Sequence, residues 1–283
     1  MQIETVIERI KAYHKGSVQG KEIDPATTRD QVLYGDVKQE CTGIVTTCWA
    51  TAEVIAKAAE CHANLIIAHE ALFWNHGDHT DWLAESENKT YLRKKELLDR
   101  YGIVVWRNHD YIHSGIPMKD GSYTDGIFYG VADTLGWCDH IVEDPACPLA
   151  YEIEPMKAKD LTQLILDKFH LNGARLIGDP ETVVKRIQIP FHVLGDDREL
   201  IERCDKEDID CLLAMEMVDF TVAEYIRDAS MLGQGKVIIS VGHFNLEEPG
   251  MKYMLKYMDQ AIGERIPCWF AQSGDSYHYI TKK

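Results

Sequence analysis

Three long apolar runs dominate the pattern of hydrophobic and polar positions along the chain. They fall within residues 65–74, 102–113 and 237–247. A continuous apolar run, without the alternation of a half-exposed strand, is typical of a strand buried on both faces. Each run delivers histidine and carboxylate side chains toward its carboxyl end: His69 with Glu70, His109 with Asp110 and His113, and His243 with Glu247.

Helical spacing of apolar residues alternates with further strand-like segments along the rest of the chain. Helices are predicted over residues 2–14, 52–59, 91–101, 126–135, 161–169, 199–204 and 222–232, with another after Glu247, and strands over residues 42–47, 174–177, 183–190, 211–217 and 268–270. This order predicts an α/β fold with mixed, largely parallel sheets. Ligands of open α/β sheets bind beyond the carboxyl ends of the strands, where the three histidine-bearing segments end.

The acidic segment Glu143–Pro148, with its two prolines, is the best candidate for a boundary between units. We therefore predict a first α/β unit over residues 1–142 and a second, similar unit over residues 143–283. The C-terminal part of the second unit is expected to pack against the first and to complete a shared metal site.

Composition and charge narrow the class of protein. The net charge of -16 argues against nucleic acid as the main partner, since phosphate binding relies on clustered Lys and Arg. No apolar run approaches the roughly 20 residues of a membrane helix, and residues 1–6 lack the pattern of a signal peptide. The eight cysteines form no C-x-x-C pair. We expect a cytoplasmic protein that acts on a small molecule, without a membrane partner.

The polar residues at the strand ends supply nitrogen and oxygen donors but no thiolate. This donor type suits zinc, iron or manganese, and seven candidate donors exceed the needs of one tetrahedral site. Two metal ions with a bridging water would use them, and would act on a phosphoester, amide or ring C–N bond. The alternative interpretation is that these are satisfied polar residues at strand ends. Pro249 is predicted to lie in the first turn of a helix that starts near Glu248, which places His243 and Glu247 on a strand–turn–helix connection.

The segment that contains His76, Asp78 and His79 is more typical of a solvated loop than of a metal site, and the alternative that it borders the pocket stays open. The sequence also has no G-x-S-x-G, P-loop or G-x-G-x-x-G motif. Acyl-serine, NTPase and dinucleotide-binding functions therefore have no local support.

The three stretches resemble those of the Nif3-like dinuclear metal proteins, which are also known as GTP cyclohydrolase I type 2 homologues. The family patterns H-H-P-L-x-F, H-T-N-x-D and G-H-x-x-x-E begin here at His69, His109 and Gly242, in the same order and over nearly the whole chain. Two ligand positions depart from the family: Glu70 replaces its second His, and His113 replaces its ligand Asp. Both replacements can bind metal, so the resemblance implies an altered donor set.

The resemblance implies a fold of two intertwined α/β repeats and a toroidal homohexamer with its sites facing an internal cavity. It implies His69, Glu70, His113, His243 and Glu247 as ligands of two divalent ions, with His109 lining the site. We hypothesise a hydrolase of the GTP cyclohydrolase type, acting on a nucleotide, phosphoester or cyclic C–N substrate, with His109 as the catalytic proton shuttle. The alternatives are a non-enzymatic metal-binding or scaffold protein and a mononuclear metal enzyme.

Overall fold

The computed structural model describes residues 1–191 and 197–280. Its helices are α1 (Ile3–Tyr13), α2 (Ala52–Glu60), α3 (Asp81–Glu85), α4 (Lys89–Tyr101), α5 (Asp110–Ser114), α6 (Gly126–Leu135), α7 (Ala158–Phe169), α8 (Arg198–Lys206), α9 (Val222–Met231), α10 (His243–Tyr253) and α11 (Met258–Ile262). Its strands are β1 (Ser17–Val18), β2 (Lys21–Glu22), β3 (Val32–Tyr34), β4 (Ile44–Thr47), β5 (Leu65–Ala68), β6 (Val104–Arg107), β7 (Ile116–Pro117), β8 (Tyr123–Thr124), β9 (Ile141–Val142), β10 (Ala150–Lys157), β11 (Arg175–Ile177), β12 (Val183–Gln188), β13 (Cys211–Ala214), β14 (Val237–Ser240) and β15 (Cys268–Phe270).

By its internal contacts, the chain forms two compact units, neither of which is one continuous segment. Among the described residues, the first unit contains 1–130 and 250–273, and the second contains 131–191, 197–249 and 274–280. The division of the sequence into similar units at residues 142 and 143 stays a prediction.

The first unit is built on a five-stranded sheet of order β15-β4-β5-β6-β3. Its first four strands are parallel, and β3 joins the edge antiparallel to β6. Strands β4, β5 and β6 are buried along their whole length, as the apolar runs of β5 and β6 predict. Val45, Ile66 and Val105 of these strands share one core cluster with residues of α2 and α4.

The second unit is built on a six-stranded sheet of order β11-β14-β13-β12-β10-β9. Only β12, β13 and β14 are parallel, and the other pairings are antiparallel. Leu212 and Ile238 of the central strands pack in one cluster with Leu200 of α8 and Ile226 of α9. The predicted α/β class with mixed sheets is therefore confirmed, although the parallel part is larger in the first unit than in the second.

Most predicted helices are confirmed with shifts of a few residues at their ends. Helix α4 ends as predicted at Gly102, whose φ of 61° is a left-handed conformation that glycine adopts without steric cost. Helix α9 begins after Thr221, whose N–H donates to the Glu224 carboxylate over 3.1 Å. Local capping chemistry thus identified these helix ends correctly from sequence.

Strand β10 was not predicted, although it pairs with both β9 and β12. Its sequence contains Pro155 and two glutamates, and its pairing with β12 is irregular between Glu152 and Met156. Proline within a strand is tolerated at such an irregularity, where a ladder hydrogen bond is already missing. Two short helices were also missed: α3, which follows the segment that contains His76 and His79, and α5, which follows β6.

The placement of the helix after β14 was wrong. Helix α10 starts at His243, and Pro249 lies inside it rather than in its first turn. Proline at that position removes one backbone hydrogen bond. Residues 245–251 are nevertheless all buried, so packing of the helix outweighs the lost bond. His243 and Glu247 consequently lie four residues apart on one helical face, and not on a strand–turn–helix connection.

His14, at the end of α1, is buried, with its Nε2 3.5 Å from the Tyr257 hydroxyl. Burial lowers the pKa of His14 to about 3, so between that value and the ordinary value of about 6.5 the unfolded chain binds more protons. The unfolding free energy is therefore unaffected by His14 above the ordinary pKa, and it decreases as the pH falls from that value toward the lowered pKa. We expect this loss to be about 2 kcal/mol at pH 5. His14→Phe should flatten the acid limb of the unfolding free energy, measured by urea denaturation.

Exposed His170 provides the control, because its substitution by Asn keeps a residue that tolerates the left-handed conformation at that position. His170→Asn should leave the acid limb unchanged. An acid limb that is identical in His14→Phe and in the native protein would contradict the assignment.

Candidate metal centre

His69 follows the last residue of β5 and is fully buried. Its backbone N–H donates to Thr47 O and Cys48 O, which extends the parallel pairing of β4 and β5 by one residue. Its Nδ1 lies 3.1 Å from Asn108 O. Because a carbonyl oxygen only accepts, Nδ1 carries the hydrogen and Nε2 has the lone pair that a metal can bind.

His109 and His113 come from the chain that leaves β6. Strands β5 and β6 pair in parallel with Ala68 opposite Arg107, so His69 and His109 emerge at the same edge of the sheet. Helix α5 then makes one turn, which brings His113 back toward His109. The buried carboxylate of Asp30 holds the start of this turn by accepting from the backbone N–H of His109 and Asp110.

The three imidazoles of His69, His109 and His113 form a cluster in which one ring nitrogen of each lies within 4.8 Å of the others. The rings of His69 and His109 stack with centroids 4.6 Å apart, and the ring of His113 stands edge-on to both at 5.0 Å. If these three rings only filled space in the interior, all six ring nitrogens would need hydrogen-bond partners, because buried polar atoms are costly without them. The cluster is instead of a size that one metal ion spans.

An oxygen acceptor holds Nδ1 of every imidazole in this cluster. At His69 this acceptor is the Asn108 carbonyl. The Asp110 carboxylate lies 2.9 Å from Nδ1 of His109, and the Asp125 carboxylate lies 2.8 Å from Nδ1 of His113. Metal-binding histidines in proteins characteristically donate their second N–H in this way. The residues present therefore fit a divalent ion bound through Nε2 atoms.

His109 is kept neutral by its surroundings. Burial, and then the proximity of His69, lower its pKa to about 4, despite the hydrogen bond to Asp110 that acts in the opposite direction. Partial burial acts to raise the pKa of Asp110. Hydrogen bonds from His109, Arg29 N and Thr28 outweigh burial and hold this pKa below its usual value. Asp110, one of the seven candidate donors, thus uses both oxygens to accept hydrogen bonds from the protein.

Glu70 lies next to the cluster and is fixed by Arg107, a residue that the sequence analysis did not single out. The fully buried guanidinium donates to Glu70 Oε2 over 2.9 Å and to Asp78 Oδ2 over 3.0 Å, and also to the backbone oxygens of His69 and His76. The other oxygen, Glu70 Oε1, lies 4.0 Å from Nε2 of His109. The segment from His76 to His79 is therefore bound to the site by Arg107, rather than being only a solvated loop.

In the second unit the structure brings His243 and Glu247 together. Nε2 of His243 lies 3.3 Å from Glu247 Oε2, and its Nδ1 lies 2.9 Å from Glu216 Oε1. Burial acts to lower the pKa of His243, but the hydrogen bonds to Glu247 and then Glu216 outweigh it and raise the pKa to about 9. A metal that binds this imidazole must displace a proton.

Each unit has a cavity beside its histidines. In the first unit a cavity of about 300 Å³ is lined by His109, Asp110 and His113 on one side and by the segment around Thr27 on the other. In the second unit a cavity of about 350 Å³ extends from His243 and Glu216 to Arg175, Tyr277 and Tyr279. Both are of a size that small-molecule sites have in proteins.

The predicted site residues thus fall into two groups. His69, Glu70, His109 and His113 lie together in the first unit, and His243 and Glu247 lie together in the second. The partners that hold them, Arg107, Asp125 and Glu216, were missed. Arg107 and Asp125 stand out only as charged residues beside apolar segments, and Glu216 as a carboxylate two residues beyond β13.

The family model of Duf34/NIF3 (NGG1p interacting factor 3) matches residues 22–100 and 120–275. The chain belongs to the Duf34/NIF3 family. The predicted resemblance is therefore confirmed at the level of the family. A search of curated protein sequences gives no match.

Solved structures of NIF3-related proteins share the fold. The Staphylococcus aureus protein SA1388 is 17% identical, with 99% of each chain covered and a TM-score of 0.65. A Bacillus cereus protein related to NIF3 is 15% identical, with the same coverage and TM-score. Reduced HcgD from Methanocaldococcus jannaschii is 14% identical over 95% of this chain and 97% of that one, with a TM-score of 0.56. At these identities the likeness shows the fold alone.

Within residues 1–191 and 197–280, no helix combines the length and the apolar character that crossing a membrane requires.

Arg107 holds the site together, and its removal should destabilise the protein. Arg107→Gln leaves the buried Glu70 carboxylate without its guanidinium partner, which should lower the unfolding free energy by about 3–5 kcal/mol. Urea denaturation measures this change. The control is Arg100→Gln, because Arg100 forms an exposed pair with Glu96 on α4 and should contribute at most about 0.5 kcal/mol. Equal, small effects of the two substitutions would contradict the role of Arg107.

Proposed function

We propose that this Duf34/NIF3 protein is a metal-dependent hydrolase. The observation that supports the proposal most is the cluster of His69, His109 and His113, in which ring nitrogens converge within 4.8 Å and every Nδ1 is held by an oxygen acceptor. Such a cluster contributes little to the stability of the fold. Buried imidazoles close together disfavour one another's protonation, and their polar rings bring little apolar contact.

The proposed ligands are those implied by the family patterns: His69, Glu70, His113, His243 and Glu247. Relative to those patterns, Glu70 and His113 form a reciprocal exchange, since a carboxylate replaces a His and a His replaces a carboxylate. The donor set keeps two carboxylates and three imidazoles, and hence a charge of -2 when both carboxylates are ionised. This charge and the nitrogen and oxygen donors support two divalent ions of zinc, iron or manganese.

His109 is the proposed proton acceptor. Its hydrogen bond to Asp110 fixes the ring so that Nε2 lies on the side of Glu70, 4.0 Å from Oε1. When bound, divalent ions would supply Lewis-acid catalysis of hydrolysis. His109 would take a proton at Nε2, and Asp110 would stabilise the imidazolium that forms. His109 lines the cavity of the first unit, which would admit a small substrate.

The proposed substrate is a small molecule with a nucleotide, phosphoester or cyclic C–N group, as in the GTP cyclohydrolase type of reaction. In the second unit, Arg175 lines the cavity that reaches His243, and a guanidinium suits a phosphate or carboxylate group. The cytoplasmic location and the homohexamer implied by the family resemblance stay predictions.

A mononuclear metal enzyme is the second candidate, and one observation favours it. His69, His109 and His113 all belong to the first unit and offer three nitrogens to one ion without any residue of the second. In that case His109 is a ligand, and another group accepts the proton.

The metal content distinguishes these functions. The native protein loaded with Zn²⁺ should bind two ions per chain, and His243→Ala should bind fewer and lose turnover of a panel of nucleotides and phosphoesters. A chelator should abolish turnover. The measurements are elemental analysis of the dialysed protein and product formation by chromatography.

His170→Asn serves as the control and should change neither metal content nor turnover. A single ion that survives in His243→Ala but is lost in His109→Ala would instead support the mononuclear centre. Turnover that persists unchanged with chelator would contradict the hydrolase proposal, and metal binding without any turnover would favour a non-enzymatic protein.

A further inference from the structure

Glu216 lies beside His243 of the second unit but matches none of the predicted ligand positions. It follows β13 by two residues, and its Oε1 lies 2.9 Å from Nδ1 of His243. On the opposite side of the ring, Nε2 of His243 faces Glu247 Oε2 at 3.3 Å. The two carboxylates thus bind different nitrogens of one imidazole, and only Glu247 is on the side implied for the metal.

The first unit repeats this arrangement with different elements. Asp125 precedes α6, and its Oδ2 lies 2.8 Å from Nδ1 of His113. In both units an acidic residue from a neighbouring segment, rather than from the histidine's own strand or helix, holds Nδ1. The distances are those of charge-assisted hydrogen bonds.

A hydrogen bond at Nδ1 affects metal binding at Nε2 in two ways. It fixes the rotation of the ring about its χ angles, and it makes Nε2 the nitrogen that binds. It also makes Nε2 more basic, because the carboxylate stabilises positive charge on the ring. Loss of such a partner commonly weakens metal binding by about 10–100-fold.

We propose that Glu216 is the positioning residue of His243, and that Asp125 has the same role for His113. The proposal rests on the metal centre of the proposed function and adds two residues that hold its histidines.

A purely structural role explains Glu216 less well. Its side chain is 38% exposed, and an ion pair at such a position contributes little to stability. Asp125 differs, because it is buried and its Oδ1 also accepts from the N–H groups of Ile127 and Phe128 at the start of α6. Asp125 therefore supports the helix as well, and Glu216 gives the cleaner test.

The test compares Glu216→Ala and Glu216→Gln with the native protein. Zn²⁺ affinity is measured by competition with a chromophoric chelator, and thermal unfolding of the metal-free proteins controls for folding. We expect Glu216→Ala to bind Zn²⁺ about 10–100-fold more weakly. Glu216→Gln should fall between Ala and native, because its amide oxygen can still accept from Nδ1. The control Glu202→Gln, which changes an exposed carboxylate paired with Lys206, should bind as the native protein does.

A second measurement responds to the hydrogen bond itself. In the Co²⁺-loaded protein, the Nδ1 proton of a bound histidine gives a paramagnetically shifted, exchangeable NMR signal. One such signal should exchange faster with solvent in Glu216→Ala than in the native protein, and the same signal should be absent in His243→Ala. A residue with only a structural role would not change this exchange.

The outcomes separate this proposal from the proposed function. If His243→Ala loses metal while Glu216→Ala keeps native affinity and native proton exchange, the role of Glu216 is wrong and the metal centre stands. If the native protein binds no Zn²⁺ or Co²⁺, both proposals are wrong. Weaker binding in Glu216→Ala, with unchanged thermal unfolding, supports the positioning role.

Discussion

The parallel pairing of β5 with β6 is the constraint on which the candidate site depends. With Ala68 opposite Arg107, the residues that follow each strand leave the sheet side by side. A shift of the register by one residue would reverse which side chains face each side of the sheet. That shift would separate His69 from the Asn108 carbonyl that sets its tautomer. The apolar residues that fix the register of β5 against β6 therefore also determine which chemical groups meet at the carboxyl ends of these strands.

Much of the fold and the main candidate residues could be predicted from the sequence, for physical reasons. Buried parallel strands appear as unbroken apolar runs, and polar residues at their ends are conspicuous because their burial needs a reason. What could not be predicted depends on pairs that are distant along the chain. Arg107 reaches Glu70 and Asp78, and Glu216 reaches His243, through contacts for which no local pattern exists. Short or irregular elements, such as α5 and β10, were missed because their stability comes from neighbouring segments rather than from their own periodicity.

The histidines of the two units differ in the charge that their surroundings favour. His109 has its pKa lowered to about 4, mainly by burial, whereas two carboxylates raise the pKa of His243 to about 9. In the metal-free protein at neutral pH, the first is a lone-pair donor and the second is an imidazolium. The same residue type thus takes opposite protonation states, because burial dominates at His109 whereas two carboxylates outweigh burial at His243. Sequence shows both only as histidines at strand ends.

The path of the chain between its two units has a consequence for dissecting the protein. The first unit takes β15 from residues 268–270, and this strand covers the edge of β4. A fragment that stopped anywhere before residue 268 would expose the backbone groups of β4, a strand that is otherwise buried along its whole length. Such an open edge is a template for pairing between molecules. Expression of the N-terminal half alone would therefore yield aggregated material, and a soluble first unit would require the β15 segment to be joined back by a linker or supplied as a separate peptide.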